Sequence, residues 1–200
     1  MDHNCNRILI VDDTKEIHED FHKILNSNRS AVNEDLKLIE SQLFDEEEKP
    51  SKSGFDTGRI VYRLDSAFQG QQAIDMVDQA AAEDDPYSLI FMDVRMPPGL
   101  NGVETMERIW LNHPLIEVVI VTAYSDYSWE QILDRVGSTD RLMFLRKPFD
   151  QVSVKQMALA LTKKYSLNLK VRGKIDRIQR EISERNTQLE RMLSELKVID

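Results

Sequence analysis

The sequence predicts an α/β protein, a doubly wound sheet of five parallel strands followed by a C-terminal coiled-coil helix. Short apolar, strand-like runs alternate with stretches of helical periodicity from residue 7 onward, the pattern of an α/β fold with parallel crossovers. Polar residues suited to chemistry follow four of these runs. After residue 163 the pattern changes to a heptad repeat. These three observations indicate one α/β body and one helical appendage.

The five strands are apolar runs of about five residues, and each is followed by a stretch with apolar residues at helical spacing. The predicted strands are Arg7–Val11, Ile60–Leu64, Leu89–Met92, Val118–Val121 and Leu142–Leu145. The predicted helices are a first one carrying Ile17, Phe21, Ile24 and Leu25, then Gln71–Ala82, Val103–Asn112, Trp129–Val136, and a fifth from Gln151 onward.

The connection between the first helix and the second strand is unusually long. Residues 28–58 contain an acidic run at 45–48 and the chain breakers Pro50 and Gly54. Connections in compact α/β domains are far shorter, so this segment is predicted to be an insertion. It suits either a solvated surface loop or an excursion that binds a partner.

The C-terminal segment carries a heptad seam of apolar residues with one polar position at Arg185. Such a stripe on a single helix is marginal in water, so we expect it to pack against another helix. A parallel homodimeric coiled coil is the favoured arrangement, and a helix folded back on its own domain is the alternative. The predicted dimer seam is Val171, Ile175, Ile178, Ile182, Leu189, Met192 and Leu196.

Composition excludes several classes of protein. The chain has 200 residues and a net charge of −9, and its acidic body is expected to repel nucleic acid. Its apolar runs are too short to cross a bilayer, and the start shows no secretion signal, so a soluble cytoplasmic protein is expected. Cys5 is the only cysteine, so an intramolecular disulfide and a cysteine metal cluster are both excluded.

The polar residues at the strand ends predict a magnesium site that handles phosphate. Asp12 and Asp13 follow the first strand, and Asp93, Thr122 and Lys147 end or follow the third, fourth and fifth. A parallel sheet gathers these ends at one edge. Crowded carboxylates favour a hard cation, and Mg²⁺ is usually held by one or two carboxylates plus a phosphate. The backbone carbonyl of Arg95 could add a ligand, while Lys147 and Thr122 suit phosphoryl oxygens.

These segments resemble the receiver (CheY-like) domain of two-component response regulators. The matching motifs are VDD at 11–13, MDVRMPPGLNG at 92–102, VTA at 121–123 and LRKPF at 145–149. The resemblance implies a flavodoxin-like strand order of 2-1-3-4-5, a receiver domain over residues 1–163 and a helical segment over 164–200. It departs from the commonest family pattern in one extra residue before Gly102 and in a phenylalanine, Phe144, at the switch position.

The resemblance also implies a role for each site residue. Asp93 would accept a phosphoryl group from a sensor histidine kinase or phosphotransfer protein. Mg²⁺, or Mn²⁺ in its place, would be held by Asp12, Asp13, Asp93 and the Arg95 carbonyl. Thr122, Ala123 and Lys147 would bind the phosphoryl group, and Thr122 and Phe144 would form the switch. The only chemistry expected is self-catalysed phosphotransfer and dephosphorylation, with the change relayed through the helical tail to a dimer partner or an output domain.

Two other functions fit parts of the sequence. One is a dimerisation scaffold that works without phosphorylation. The other is an aspartate-nucleophile phosphohydrolase, although Arg95 stands where such enzymes usually place an acid. His18 and His22, four residues apart on the first helix, are expected to lie on the surface because they fall off its apolar face.

Overall fold

The computed structural model of this chain describes residues 6–26, 61–123, 134–135, 137 and 139–196. The insertion predicted over residues 28–58 lies outside these residues. So does the helix predicted over Trp129–Val136, apart from Asp134 and Arg135, which are helical. The elements are β1 (Arg7–Val11), α1 (Lys15–Asn26), β2 (Arg63–Ala67), α2 (Gly70–Ala82), β3 (Leu89–Asp93), α3 (Gly102–Asn112), β4 (Glu117–Thr122), β5 (Leu142–Arg146) and α4 (Gln151–Leu196).

The five strands form one parallel sheet in the order β2-β1-β3-β4-β5, which confirms the predicted fold. The strands β3 and β4 are buried along their whole length. Alternate residues of the central strands face two separate cores, one under α2 and α3 and one under α1 and α4. Because both faces of the sheet are covered, these strands are continuous apolar runs, and they could therefore be predicted from the sequence.

The second strand was predicted wrongly. The sequence favoured Ile60–Leu64, but the paired segment is Arg63–Ala67, which joins the edge of the sheet beside β1. An edge strand needs few apolar residues, and here polar ones are satisfied: Asp65 accepts hydrogen bonds from Arg7 Nε at 2.8 Å and Tyr87 Oη at 2.9 Å. The apolar run therefore marked the approach to the strand rather than the strand itself.

The helix α4 runs without interruption for 46 residues, as the continuous helical pattern predicted. Asp150 caps its start by accepting a hydrogen bond from Ser153 N at 2.8 Å. Its first turns pack on the sheet through buried residues as far as Tyr165, and Leu169 is partly buried against the core. Of the described helices, none combines the length and hydropathy needed to span a membrane.

Beyond Leu169 the helix extends away from the sheet. The seam side chains with described surroundings are 48–57% exposed, so the tail does not fold back on its own domain. They are Val171, Ile175, Ile178, Ile182 and Leu189. The side chains of Met192 and Leu196 lie outside the described part of the chain. The coiled coil and the domain boundary at residues 163 and 164 stay predictions.

Candidate functional site

Three charged side chains meet at the carboxyl edge of the sheet. Asp12 follows β1, Asp93 ends β3, and Lys147 follows β5. The Lys147 ammonium lies 2.6 Å from Asp12 Oδ2 and 2.6 Å from Asp93 Oδ1. Both carboxyl groups are buried. Three of the residues that the sequence singled out are therefore in direct contact, although they are up to 135 positions apart.

The second oxygen of each carboxylate is held by a backbone amide. Thr14 N donates to Asp12 Oδ1 at 2.9 Å, and Arg95 N donates to Asp93 Oδ2 at 2.7 Å. Each of these turns follows its strand directly, so the backbone orients the carboxylate two residues upstream. Both oxygens of each acid are thus fixed, one by the ammonium and one by an amide.

Burial and charge act in opposite directions on this cluster. Burial raises the pKa of Asp93, and the nearby Asp12 raises it further, while the hydrogen bond and charge of Lys147 lower it; the net change is upward. Burial lowers the pKa of Lys147, but its hydrogen bonds to Asp12 and Asp93 outweigh this and raise the pKa overall. Lys147 is therefore a firmly charged ammonium beside two acidic groups.

A close backbone contact sets the position of Asp93. The helix α3 begins at Gly102, whose amide donates to Val94 O at 2.9 Å. A Cβ atom at Gly102 would lie 2.1 Å from Asp93 O, a distance that real contacts do not reach. Asn101 and Glu104 form a reciprocal capping box at the start of the same helix. A glycine is required here because the helix abuts the strand end that carries the acid.

The other side chains predicted for the site make contacts of their own. The Asp13 side chain is exposed at the rim and accepts from Thr14 Oγ1 at 3.2 Å. The Thr122 hydroxyl donates to Ala123 O at 2.9 Å. Phe144 is half-buried against the core beneath α2 and α3. The roles expected for these residues stay predictions.

The donor set at this edge suits a magnesium ion. Two carboxylates already share one cation, the Lys147 ammonium, and a third, Asp13, lies next in the chain. Mg²⁺ is commonly bound by one or two carboxylates with water or phosphate completing the shell. Within the described residues no three acidic, histidine or cysteine side chains already converge on one point. The chemistry fits a site that water and phosphate would complete.

His18 is a residue whose position the sequence prediction missed. It was expected on the surface, but it is only 4% exposed, and its Nε2 lies 2.8 Å from Asp12 O. A signal was present: His18 precedes Phe21 by three residues and Leu25 by seven, which places all three on one helical face. The sequence prediction placed His18 off this apolar face, and that placement was wrong.

Comparison with known proteins places these features in context. A family model described as response regulator receiver domain matches residues 57–159. The curated protein "Sporulation initiation phosphotransferase F" of Bacillus subtilis is 30% identical over 89 residues, which cover 44% of this chain and 64% of that protein. This chain therefore matches less than two thirds of that relative's length.

Two solved structures share the fold. An adenylate cyclase structure from Rhodopirellula baltica aligns with a TM-score of 0.60 at 20% identity, covering 86% of this chain and 97% of that one. A CheY-like response regulator receiver domain protein from Methanospirillum hungatei aligns with a TM-score of 0.54 at 17% identity, covering 82% and 98%. The family match begins at residue 57, after β1, and so does not include Asp12. It is the pairing of β1 with β3 in the sheet that brings Asp12 to the same edge as Asp93.

Proposed function

Because this chain belongs to the response regulator receiver domain family, we propose that it is a phosphoacceptor module in which Asp93 takes a phosphoryl group from a phosphohistidine. The donor would be a sensor histidine kinase or a phosphotransfer protein. The observation that carries the proposal is the contact of the Lys147 ammonium with both buried carboxylates, Asp93 and Asp12, at the sheet edge. Receiver domains are signalling domains of two-component systems, and this assignment fits that class.

The proposed reaction is a direct transfer between two side chains. A carboxylate oxygen of Asp93 attacks phosphorus, the P–N bond to the donor imidazole breaks, and the imidazole leaves with the electron pair. The Arg95 amide and the Lys147 ammonium hold the Asp93 oxygens, so the nucleophile is oriented before the donor arrives. Lys147 then stays close to the new acyl phosphate and offsets part of its negative charge.

A divalent cation is part of this proposal. Asp12, Asp13 and Asp93, with the backbone carbonyl of Arg95, would hold Mg²⁺, and Mn²⁺ could replace it. When bound, the ion supplies positive charge against the phosphoryl oxygens. The chain's own contribution is the fixed pair of buried carboxylates, which the fold holds together with the Lys147 ammonium between them.

The switch would start at Thr122. Its hydroxyl now donates to the neighbouring Ala123 carbonyl, and the amide of Lys147 donates to Thr122 O at 2.9 Å. A phosphoryl group on Asp93 carries about two negative charges in place of the single charge of the carboxylate, and it offers Thr122, Ala123 and Lys147 a new partner. As Thr122 turns toward it, the half-buried ring of Phe144 on the adjacent β5 can move inward.

The tail is proposed to connect this switch to a second copy of the chain. The exposed seam on α4 suits a parallel homodimeric coiled coil, and the helix is continuous from its packed turns to that seam. A change in how the packed turns sit on the sheet would therefore reach the dimer or an attached output domain. A scaffold that dimerises without phosphate is the competing function, because the seam alone would suffice for it.

Intact-mass measurement tests the phosphoacceptor proposal. The wild type, Asp93→Asn and the exposed control Asp75→Asn are incubated with Mg²⁺ and acetyl phosphate or phosphoramidate. We expect a phosphoryl-sized mass gain in the wild type and in the control, and none in Asp93→Asn. The same gain in Asp93→Asn, or no gain in the wild type with either donor, would overturn the assignment and favour the scaffold.

Light scattering after size exclusion tests the dimer. Ile182→Glu places a charge in the seam, whereas Ser183→Glu adds the same charge on the exposed neighbouring position. A dimeric wild type and Ser183→Glu with a monomeric Ile182→Glu would support the coiled coil. A monomeric wild type at micromolar concentration, or a dimer that Ile182→Glu leaves intact, would refute it.

A further inference from the structure

A histidine on α1 reaches back to the turn that carries the acid pair. His18 is the fourth residue of that helix, it is almost fully buried, and its Nε2 lies 2.8 Å from the backbone oxygen of Asp12. We propose that His18 is a positioning residue that holds the peptide between Asp12 and Asp13 in the orientation required for cation binding. The proposal rests on the proposed function, since it concerns the same site.

The hydrogen bond fixes how the ring works. A carbonyl oxygen can only accept, so Nε2 must carry the hydrogen and donate it. The other nitrogen, Nδ1, is buried and has no hydrogen-bond partner within the described structure. A buried polar atom without a partner is unfavourable, and an apolar side chain of similar size would avoid it. Packing alone therefore does not explain a histidine here, whereas the bond to Asp12 does.

An aromatic neighbour holds the ring in place. The Phe68 ring, on the connection between β2 and α2, lies 4.5 Å from the His18 ring, centroid to centroid. The backbone of Phe68 is anchored, because its amide donates to Gln72 Oε1 at 2.8 Å. Phe68 is 40% exposed, whereas His18 beneath this contact is only 4% exposed. The imidazole is therefore buried, packed against an aromatic ring and hydrogen-bonded to the Asp12 carbonyl.

The bond completes the restraint of Asp12. Its amide donates to Ala67 O at 3.2 Å, its two carboxylate oxygens accept from Thr14 N and Lys147 Nζ, and its carbonyl accepts from His18. That carbonyl belongs to the peptide leading to Asp13, so its direction determines where the Asp13 backbone lies. Asp13 itself makes only the 3.2 Å contact with Thr14 Oγ1 among its described hydrogen bonds. Its placement therefore depends on the peptide that His18 holds.

Three variants separate positioning from packing. His18→Met fills similar space without a donor, His18→Gln keeps an N–H donor, and His22→Met makes the same change one turn later on α1. Groups that orient metal ligands from behind typically change affinity by about 10-fold to 100-fold. We therefore expect Mg²⁺ affinity, measured by calorimetry without any phosphodonor, to fall about tenfold in His18→Met. It should stay within about threefold of the wild type in His18→Gln and His22→Met, since both keep the Asp12 restraint.

Two further measurements complete the test: the Mg²⁺ dependence of phosphorylation in His18→Met, and the tautomer of His18 in the wild type. In His18→Met the Mg²⁺ concentration for half-maximal phosphorylation by acetyl phosphate should rise, while the rate at saturating Mg²⁺ changes less. In the wild type, ¹⁵N NMR of the imidazole should find the Nε2–H tautomer of His18, a result that needs neither metal nor phosphate. The Nδ1–H tautomer, an unchanged Mg²⁺ affinity in folded His18→Met, or equal losses in His18→Gln and His18→Met would each overturn the proposal.

These readouts keep two failures apart. If the wild type takes up no phosphoryl group, the proposed function fails, while the tautomer and the ranking of Mg²⁺ affinities still decide the role of His18. If phosphorylation proceeds normally but the ranking is absent, the role of His18 is refuted and the phosphoacceptor assignment stands. Should His18→Met not fold, the tautomer alone decides: Nε2–H supports the bond and Nδ1–H refutes it.

Discussion

Replacing Gly102 by alanine tests how tightly α3 is packed against the acidic site. A Cβ atom there would lie 2.1 Å from Asp93 O and 3.0 Å from both Asp93 C and Met92 Cγ. The nearest contact is backbone rather than a flexible side chain, so the helix and the strand end must separate by about 1 Å to restore an ordinary contact. The hydrogen bond from Gly102 N to Val94 O would lengthen as the helix and the strand end separate.

The expected magnitude follows from two opposing effects. Overpacking of this kind costs about 1–3 kcal/mol, and the rigid partner places this site near the upper end. Alanine is more favourable than glycine inside a helix by about 0.5–1 kcal/mol, but Gly102 is the first residue of α3, so only part of this difference offsets the loss. We expect a net decrease of about 2 kcal/mol in the free energy of unfolding. Displacing Asp93 by about 1 Å from Lys147 should also slow phosphorylation by at least about tenfold.

Gly173→Ala is the matched control for this change. Gly173 lies in the exposed part of α4, and a Cβ atom there meets nothing within 4 Å. The same substitution should therefore increase stability by about 0.5–1 kcal/mol. Urea unfolding followed by circular dichroism measures both variants, and acetyl phosphate labelling measures the site. Equal stabilities of Gly102→Ala and Gly173→Ala would refute the steric reasoning.

Three further predictions concern single contacts. Lys147→Met leaves two buried carboxylates without their ammonium, so the free energy of unfolding, measured with a chelator present, should fall by about 3 kcal/mol. Mg²⁺ should then raise the melting temperature of the variant more than that of the wild type. An equal rise in both proteins would contradict this. Burial raises the pKa of Glu117 above its ordinary 4.5, despite its bond to Lys164. The contribution of Glu117 to stability is complete below its ordinary pKa and is lost as the pH rises through its raised pKa. Glu117→Gln should therefore make the free energy of unfolding in urea depend less on pH. The same pH dependence in the variant and the wild type would count against this prediction. Asn101→Ala removes the cap from α3 and should cost about 1 kcal/mol, whereas Asn101→Asp, which keeps the acceptor, should unfold at nearly the wild-type urea concentration.

The central strands could be predicted because burial on both faces leaves an apolar record in the sequence. Two polar residues show where this rule fails. Glu117 is fully buried at the start of β4, where Lys164 on α4 lies 3.0 Å from its Oε2. The predicted strand began one residue later because an acidic side chain is not expected inside a core. The edge strand β2 was misplaced for the related reason that its polar residues are satisfied by distant partners.

The site was predictable to the level of strand ends and no further. Asp12, Asp93 and Lys147 meet because parallel strands end at one edge, which follows from their order in the chain. The direction of the Thr122 hydroxyl, toward Ala123 O, depends on a rotamer that no pattern encodes. The bond from His18 to Asp12 depends on a turn geometry that is visible only once β1 and α1 are placed together.

Because α4 is long, a small tilt of its packed turns produces a larger displacement at its far end. At 1.5 Å per residue, the 46-residue helix is about 69 Å long. Roughly 40 Å of it lies beyond Leu169, where contact with the core ends. A tilt of about 5° at the packed turns would move the far end by about 3.5 Å on this geometry. A tilt of a few degrees at the packed turns would therefore become a displacement of several ångströms at the far end, set by the length of the exposed part.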